Sequence, residues 1–323
     1  MMNFKIEGRL DMRAERRKKR RWLRWVGIIV ALFVIGAGAF AYSVYHNVEQ
    51  TADQMHEEIN WQSKKREGKV SVERKTPISI LLIGVDERKG DRGRADTLIV
   101  MTVNPNKQSI EMVSVPRDTR TEIIGKGTED KINHSYAFGG VEMTMATVEH
   151  FLDIPIDYYI KVNMESFRDI VNAVGGVTVN NPFAFTYEGT HFPKGEITLN
   201  GDEALKYSRM RYDDPRGDFG RQDRQKQIIQ AIIEKGASFS SLTNYSDVLA
   251  AIGKNVKTNL TFEEMKDIQA NYKDARKHIK QLHITGQGTK INGIYYLLVP
   301  ESERLAISNE LKEHLELKAT AAK

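Results

Sequence analysis

A run of 21 uncharged residues, Trp25 to Tyr45 (WVGIIVALFVIGAGAFAYSVY), constrains this chain more than any other feature. About 20 apolar residues in a helix cross the hydrocarbon core of a bilayer, and Trp25, Tyr42 and Tyr45 stand where interfacial aromatics belong. Lys and Arg crowd the N-terminal side, whereas Glu49, Asp53, Glu57 and Glu58 precede Lys64 on the other. The positive-inside rule then predicts a single-pass protein of the cell membrane, with residues 1–24 as a basic cytoplasmic tail and everything after the anchor 25–45 outside the cell. Ala39-Phe40-Ala41 resembles a signal-peptide cleavage site, but the apolar run is long for a cleaved signal, so an uncleaved anchor is expected.

The anchor also changes what the charge means. The sequence pI is near 9.1, a value that first suggests nucleic acid as a partner. Residues 1–24 hold ten Lys and Arg against Glu7, Asp11 and Glu15, which makes the tail +7. The whole chain is +5, so everything after Arg24 carries −2. The basicity belongs to a tail too short to fold, and a nucleic-acid partner is not expected. No cysteine is present, which excludes disulfides, thiolate metal sites and cysteine nucleophiles.

Beyond the anchor, residues 46–76 read as a stalk, with Val48, Met55 and Ile59 at helical spacing before a charged segment. The domain is expected over 77–317, followed by a short tail, 318–323. Ile78–Gly84, Thr97–Val103 and Ser109–Val115 read as β-branched strands, the first two buried on both faces. Helices are expected at Val141–Leu152, Ser166–Val174, Asp202–Met210, Arg221–Lys235 and Tyr245–Lys254. Another, Phe262–Tyr272, opens on a Thr261/Glu264 capping box. Tyr158–Val162, Ile279–Ile284 and Ile294–Val299 complete the strands, and a helix from Glu301 closes the chain. The fold class is therefore α/β, a mixed central sheet with helices on both faces.

Asp and Arg concentrate in the loops between these elements. Asp86 leaves the first strand and Asp96 enters the second, so two carboxylates at adjoining strand ends could share a hard cation such as Mg²⁺. Loop aspartates more often shape turns. Arg117 follows Pro116 at the end of the third strand, on the edge where open α/β sheets place ligand crevices. The densest cluster is YSRMRYDDPRGDFGRQDRQ, Tyr207 to Gln225. In it Arg209 and Arg211 end one helix, Asp218 precedes the next, and Arg221 and Gln225 share a face. Planar guanidinium forks at a helix N-terminus suit phosphate. Surface salt bridges with Asp213, Asp214 and Asp218 are the plainer explanation, yet no Lys occurs from Tyr207 to Asp223 to fill such a role. His134 fits a hydrogen-bonded structural histidine better than a general base. Ile228, Ile229, Ile232 and Ile233, with Met143, Met145 and Val148, could line a lipid slot or could equally be core.

The segments ILLIGVDER, RADTLIVMTVNP, VSVPRDTR, KINHSYAFGG, GGVTVNNP, LNGDEALKYSRMR and DFGRQDRQKQII run in order from Ile80 to Ile229. As a set they resemble the LytR–CpsA–Psr family. The resemblance implies transfer of an anionic glycopolymer, such as wall teichoic acid, from a polyprenyl pyrophosphate carrier to peptidoglycan, assisted by Mg²⁺. Carried over by motif, Asp86 and Asp96 hold the metal, and Arg94, Arg117, Arg209, Arg211, Arg221 and Gln225 grip the pyrophosphate. Asp86, Arg117 and Arg221 are the expected catalytic groups, Asp86 as a candidate base. Asp218 is left open between metal ligand, base and helix cap. The pyrophosphate bond supplies the energy, so no nucleotide is expected. A hydrolase using water as acceptor, or a non-catalytic envelope regulator, remains the competing reading.

Overall fold

The computed structural model describes residues 42–66, 68, 70–87, 93–236, 253 and 256–318. The basic tail, most of the expected anchor, and 245–252 of one expected helix lie outside the described residues. Among the described residues no helix is long and apolar enough to cross a membrane. The chain divides into two units, Met1–Val48 and Glu49–Lys323. The second unit holds the fold.

Residues 49–55 are helical (α1). Strands β1 (Ile78–Val85), β2 (Ala95–Asn104) and β3 (Ser109–Ser114) follow as an antiparallel meander. A hairpin, β4 (Arg120–Ile123) and β5 (Thr128–Lys131), leads to helix α2 (His134–Leu152). Next come β6 (Tyr158–Asn163), α3 (Met164–Ala173), the short strands β7 (Val177–Asn181), β8 (Phe185–Tyr187), β9 (Thr190–Phe192) and β10 (Gly195–Leu199), then α4 (Gly201–Arg209) and α5 (Asp218–Gly236). The chain closes through β11 (Val256–Thr258), α6 (Phe262–Asn271), β12 (His278–His283), the hairpin β13 (Gln287–Ile291) and β14 (Ile294–Leu298), and α7 (Glu301–His314). The central sheet has the order β11-β6-β1-β2-β3-β12. β6 joins β1 in parallel and β12 joins β3 in parallel, so the sheet is mixed.

Period-two alternation explains how both faces are covered. Leu81, Ile83 and Val85 of β1, with Leu98 and Val100 of β2, point into one core with Met145, Val148, Phe151 and Leu152 of α2 and Ile307 and Leu311 of α7. Ile78, Ile80, Ile99, Met101 and Met112 point to the other side, where Ile229 and Ile233 of α5 and Met265 and Ile268 of α6 pack. A third cluster joins α3, α4 and α5 to the small β7–β10 ribbons through Val171, Phe192, Tyr207 and Ile228. The apolar residues considered for a lipid slot therefore split. Ile228 and Ile232 belong to the third cluster, Ile229 and Ile233 to the second face, Met145 and Val148 to the first. They are core, because α5 is wedged between two apolar surfaces.

Local signals set the helix ends. Thr261 Oγ1 accepts from Glu264 N at 3.2 Å while Thr261 N donates to Glu264 Oε2 at 2.9 Å, the expected reciprocal cap. α2 starts seven residues earlier than the periodicity suggests. Its first turn is set off by a break at Gly139 and Gly140 (φ 67° at the latter), and the regular stretch begins at Val141.

Candidate active site

Strand register builds the first part of the site. Gly84 pairs with Thr97, but Val85 pairs with Ala95, which leaves Asp96 as the extra residue of a β-bulge. A bulge twists its strand and re-aims a side chain. Here it turns Asp96 at the same sheet edge from which Asp86 leaves β1. The connection back is tight: a Cβ on Gly93 (φ +68°) would meet the carbonyl oxygen of Asp86 at 2.3 Å, so glycine is required. The carbonyl of Arg94 then accepts from Asp86 N (3.4 Å) and from Asp96 N (3.1 Å), fastening both aspartates to one acceptor. The Arg94 side chain itself is exposed.

β3 and α5 deliver the arginines to this edge. Arg117 Nη1 donates to Asp96 Oδ1 at 3.0 Å, and Asn133 Nδ2 lies 3.5 Å from the same oxygen. Arg221 Nη2 donates to the Asp96 carbonyl at 3.3 Å and pairs with Asp218 Oδ1 at 2.9 Å. One turn further, Gln225 Nε2 donates to Thr97 Oγ1 at 3.1 Å. Arg211 enters from the α4–α5 loop and lines a cleft of about 520 Å³ together with Arg117, Asp118, Lys131, Tyr212 and Asp218.

Packing cations this closely has a cost that appears in their protonation. Burial alone would lower the Arg117 guanidinium, but Asp96, Asp218 and Asp118 together hold it above its ordinary value. Burial pulls Arg221 below its ordinary value, Asp218 opposes that, and Arg117 and Arg211 push it down further. Arg117 Nε, Arg221 Nε and Asn133 Oδ1 are buried without a hydrogen-bond partner among the described residues. Buried donors and acceptors left over in this way are expensive. Two guanidinium donors suit an anion; the amide oxygen, beside the Asp96 carboxylate, suits a hard cation.

The remaining residues of the cluster do other work. Arg224, three positions after Arg221, is fully buried: Nη1 donates to Asp214 Oδ2 at 2.5 Å, Nε to the Tyr207 carbonyl at 3.0 Å, and Nη2 to the Met210 carbonyl. It ties down the 210–217 loop that carries Arg211. Gly220 makes room, since a Cβ there would stand 1.8 Å from Asp214 Oδ2. Arg209 lies 3.8 Å from Glu188 and is 42% exposed, a surface pair weak enough to exchange its carboxylate for a phosphate. Asp218 sits in the first turn of α5, holding Arg221 through Oδ1 and accepting from Gln222 Nε2 at 3.0 Å through Oδ2. His134 Nδ1 is bonded to Asp130 Oδ2 at 2.9 Å, the structural role expected of it. Asp118, Lys131, Asn133, Tyr212 and Tyr295 also border the site. Asp118, Lys131, Asn133 and Tyr212 lie in segments singled out in the sequence and Tyr295 only in an expected strand, and nothing in the spacing showed that they meet.

Fold and site together define an α/β domain that brings Arg117 and Arg221 onto Asp96 at one sheet edge. The chain belongs to the LytR_cpsA_psr family, whose profile matches residues 42–313. It is 60% identical over 306 residues to the polyisoprenyl-teichoic acid–peptidoglycan teichoic acid transferase TagU of Bacillus subtilis (strain 168), covering 94% of this chain and 100% of that protein. The crystal structure of B. subtilis TagU superposes with a TM-score of 0.62 at 59% identity, over 76% of this chain and 100% of that one. The structure of TagT bound to LIIa-WTA superposes with a TM-score of 0.69 at 31% identity, over 80% of this chain and 98% of that one.

Proposed function

We propose that this chain is a membrane-anchored phosphotransferase that moves an anionic glycopolymer of the wall-teichoic-acid type from a polyprenyl pyrophosphate carrier to a sugar hydroxyl of peptidoglycan. The transferase class follows from the relatives, which carry that name over nearly the whole of this chain. The observation that carries the mechanism is the convergence of Arg117 and Arg221 on Asp96, with Arg211 in the same cleft.

The reaction needs charge stabilisation more than covalent chemistry. A hydroxyl oxygen of the acceptor bonds to the phosphorus that bears the glycopolymer. The bridging P–O bond breaks, and polyprenyl phosphate leaves with the extra negative charge. Arg117, Arg211 and Arg221, joined by Arg94, Arg209 and Gln225, hold the two phosphates in line and meet that charge as it develops. Mg²⁺ would be held by Asp86 and Asp96, with Asn133 Oδ1 as a third oxygen, and would add positive charge at the phosphate oxygens. Asp86, which leaves β1 at the same sheet edge as Asp96, would take the hydroxyl proton. The anchor 25–45 would keep the domain at the outer membrane surface, where the lipid-linked donor resides.

The test is a set of single Arg→Lys variants at Arg117, Arg211 and Arg221, assayed for polyprenyl pyrophosphate binding. Lys keeps the charge and loses the bidentate fork. Each exchange should weaken binding about ten- to a hundredfold, the worth of a charge-assisted hydrogen bond at roughly 1.5–3 kcal/mol. Near-wild-type binding in all three would refute the clamp.

A further inference from the structure

The cleft that holds Arg117 and Arg211 also carries two exposed tyrosines. Tyr212 is 85% exposed and Tyr295 46%, and both line the same cleft as Arg117 and Arg211. Neither ring is loose. The Arg211 guanidinium stacks on Tyr212 at 4.6 Å from the ring centroid and donates to its hydroxyl at 2.6 Å. Tyr295 lies across Gly288 on the neighbouring strand: a Cβ at that glycine would meet the Tyr295 hydroxyl at 2.8 Å and its ring carbon Cε2 at 3.0 Å. The β13–β14 hairpin that carries Tyr295 is itself fixed to the cleft wall, where Leu297 N donates to the Asp118 carbonyl at 2.9 Å. Lys131 lines the same cleft, 2.6 Å from Asp118 Oδ1 and 5.9 Å from the centroid of the Tyr295 ring.

We propose that Tyr212 and Tyr295 form a carbohydrate-stacking subsite that receives the acceptor glycan of peptidoglycan beside the clamp, an inference that rests on the transferase reading above. A pyranose has a face of weakly positive C–H groups and a rim of hydroxyls. An aromatic ring with a negatively charged face matches the first, and an aspartate–lysine pair matches the second. Asp118, held by Lys131 Nζ at 2.6 Å, offers carboxylate oxygens that accept from sugar hydroxyls. Its position also fits: Arg117 reaches Asp96 at 3.0 Å on one side and Asp118 at 3.6 Å on the other. A sugar on the tyrosine side of Arg117 therefore brings its hydroxyl toward the phosphorus that Arg117 holds. A ring held on a pinned hairpin, as Tyr295 is, binds at low entropic cost.

The experiment uses the full-length chain in detergent and two probes, undecorated peptidoglycan oligosaccharides released by a muramidase and polyprenyl pyrophosphate. Tyr295→Ala and Tyr212→Ala should each weaken oligosaccharide binding about tenfold, the scale of a lost stacking contact, while Tyr295→Trp and Tyr212→Phe keep it. Saturation transfer from aromatic protons to sugar C–H protons should be present in the wild type and fall in both Ala variants. Polyprenyl pyrophosphate binding should change little in Tyr295→Ala. Unchanged oligosaccharide binding in both Ala variants overturns the subsite. Weakened binding of a polyprenyl-pyrophosphate-linked disaccharide, with the oligosaccharide unaffected, also overturns it, because the rings would then serve the donor. A wild-type chain that binds the oligosaccharide through these rings but never binds polyprenyl pyrophosphate would support the subsite and sink the transferase reading instead.

Discussion

Asp214→Asn should destabilise this domain severely without removing any of the arginine side chains. The Asp214 side chain is fully buried and Arg224 is 2% exposed, so the pair sits beyond the reach of water. Removing the negative charge strands a guanidinium in that environment. Breaking a buried pair from one side costs about 3–5 kcal/mol. The Tyr207 and Met210 carbonyls still accept from Arg224, which places the cost near the lower end, about 3 kcal/mol. Asp214 Oδ1 also accepts from Arg216 N at 2.8 Å, and the single amide oxygen of Asn can serve that N–H or Arg224 but not both. For a domain of this size each kcal/mol moves the melting temperature by about 2–4 °C, hence a fall of roughly 6–12 °C. Gly220→Ala, which pushes on the same carboxylate, should act in the same direction. Thermal denaturation of the full-length chain, followed by circular dichroism, reads this directly. A melting temperature within about 2 °C of wild type would mean that Arg224 does not anchor the loop.

Asp86→Ala and Asp96→Ala should each cost transfer activity steeply, with chelator mimicking the effect; normal turnover of both at limiting Mg²⁺ would remove the metal from the account. His314 is buried between Thr102 Oγ1 (2.7 Å) and Ser109 Oγ (2.8 Å), and burial lowers its pKa to about 4. The unfolded chain takes up its proton near pH 6.5 and the folded one near 4, so stability present above pH 6.5 is lost as pH falls through that window. The loss approaches about 3 kcal/mol, and a His314→Gln variant should show a flatter pH–stability profile. If the domain lies outside, as the charge asymmetry around 25–45 predicts, protease added to intact protoplasts should degrade it; protection until lysis would reverse the topology.

Elements with a strong local signature were legible in the sequence. β1 and β2 declare themselves through continuous β-branched runs buried on both faces, and α6 through the Thr261/Glu264 cap. The hairpin β4–β5 and strand β13 were harder, because short polar strands pair through the backbone and leave little periodicity. Thr128–Lys131 is four polar residues. Within the site, Asp96 and Arg117 were recognisable as candidates, but the bulge that aims Asp96 exists only in the β1–β2 register. Arg221 and Arg224 look equivalent in DFGRQDRQ, and only the 100° rotation per residue on a helix separates the ligand-facing one from the buried anchor. Tyr212 and Tyr295 are 83 positions apart in the chain, and no local rule could have placed them in one cleft.

The most direct test of the account is to incubate the full-length chain with a lipid-linked glycopolymer, Mg²⁺ and undecorated peptidoglycan oligosaccharides, and to weigh the products by mass spectrometry. The account predicts an oligosaccharide that carries the polymer through a phosphodiester, formed together with an equal amount of polyprenyl phosphate. Polymer phosphate released into water with the oligosaccharide unmodified would make the chain a hydrolase, and an untouched donor would contradict phosphoryl transfer altogether.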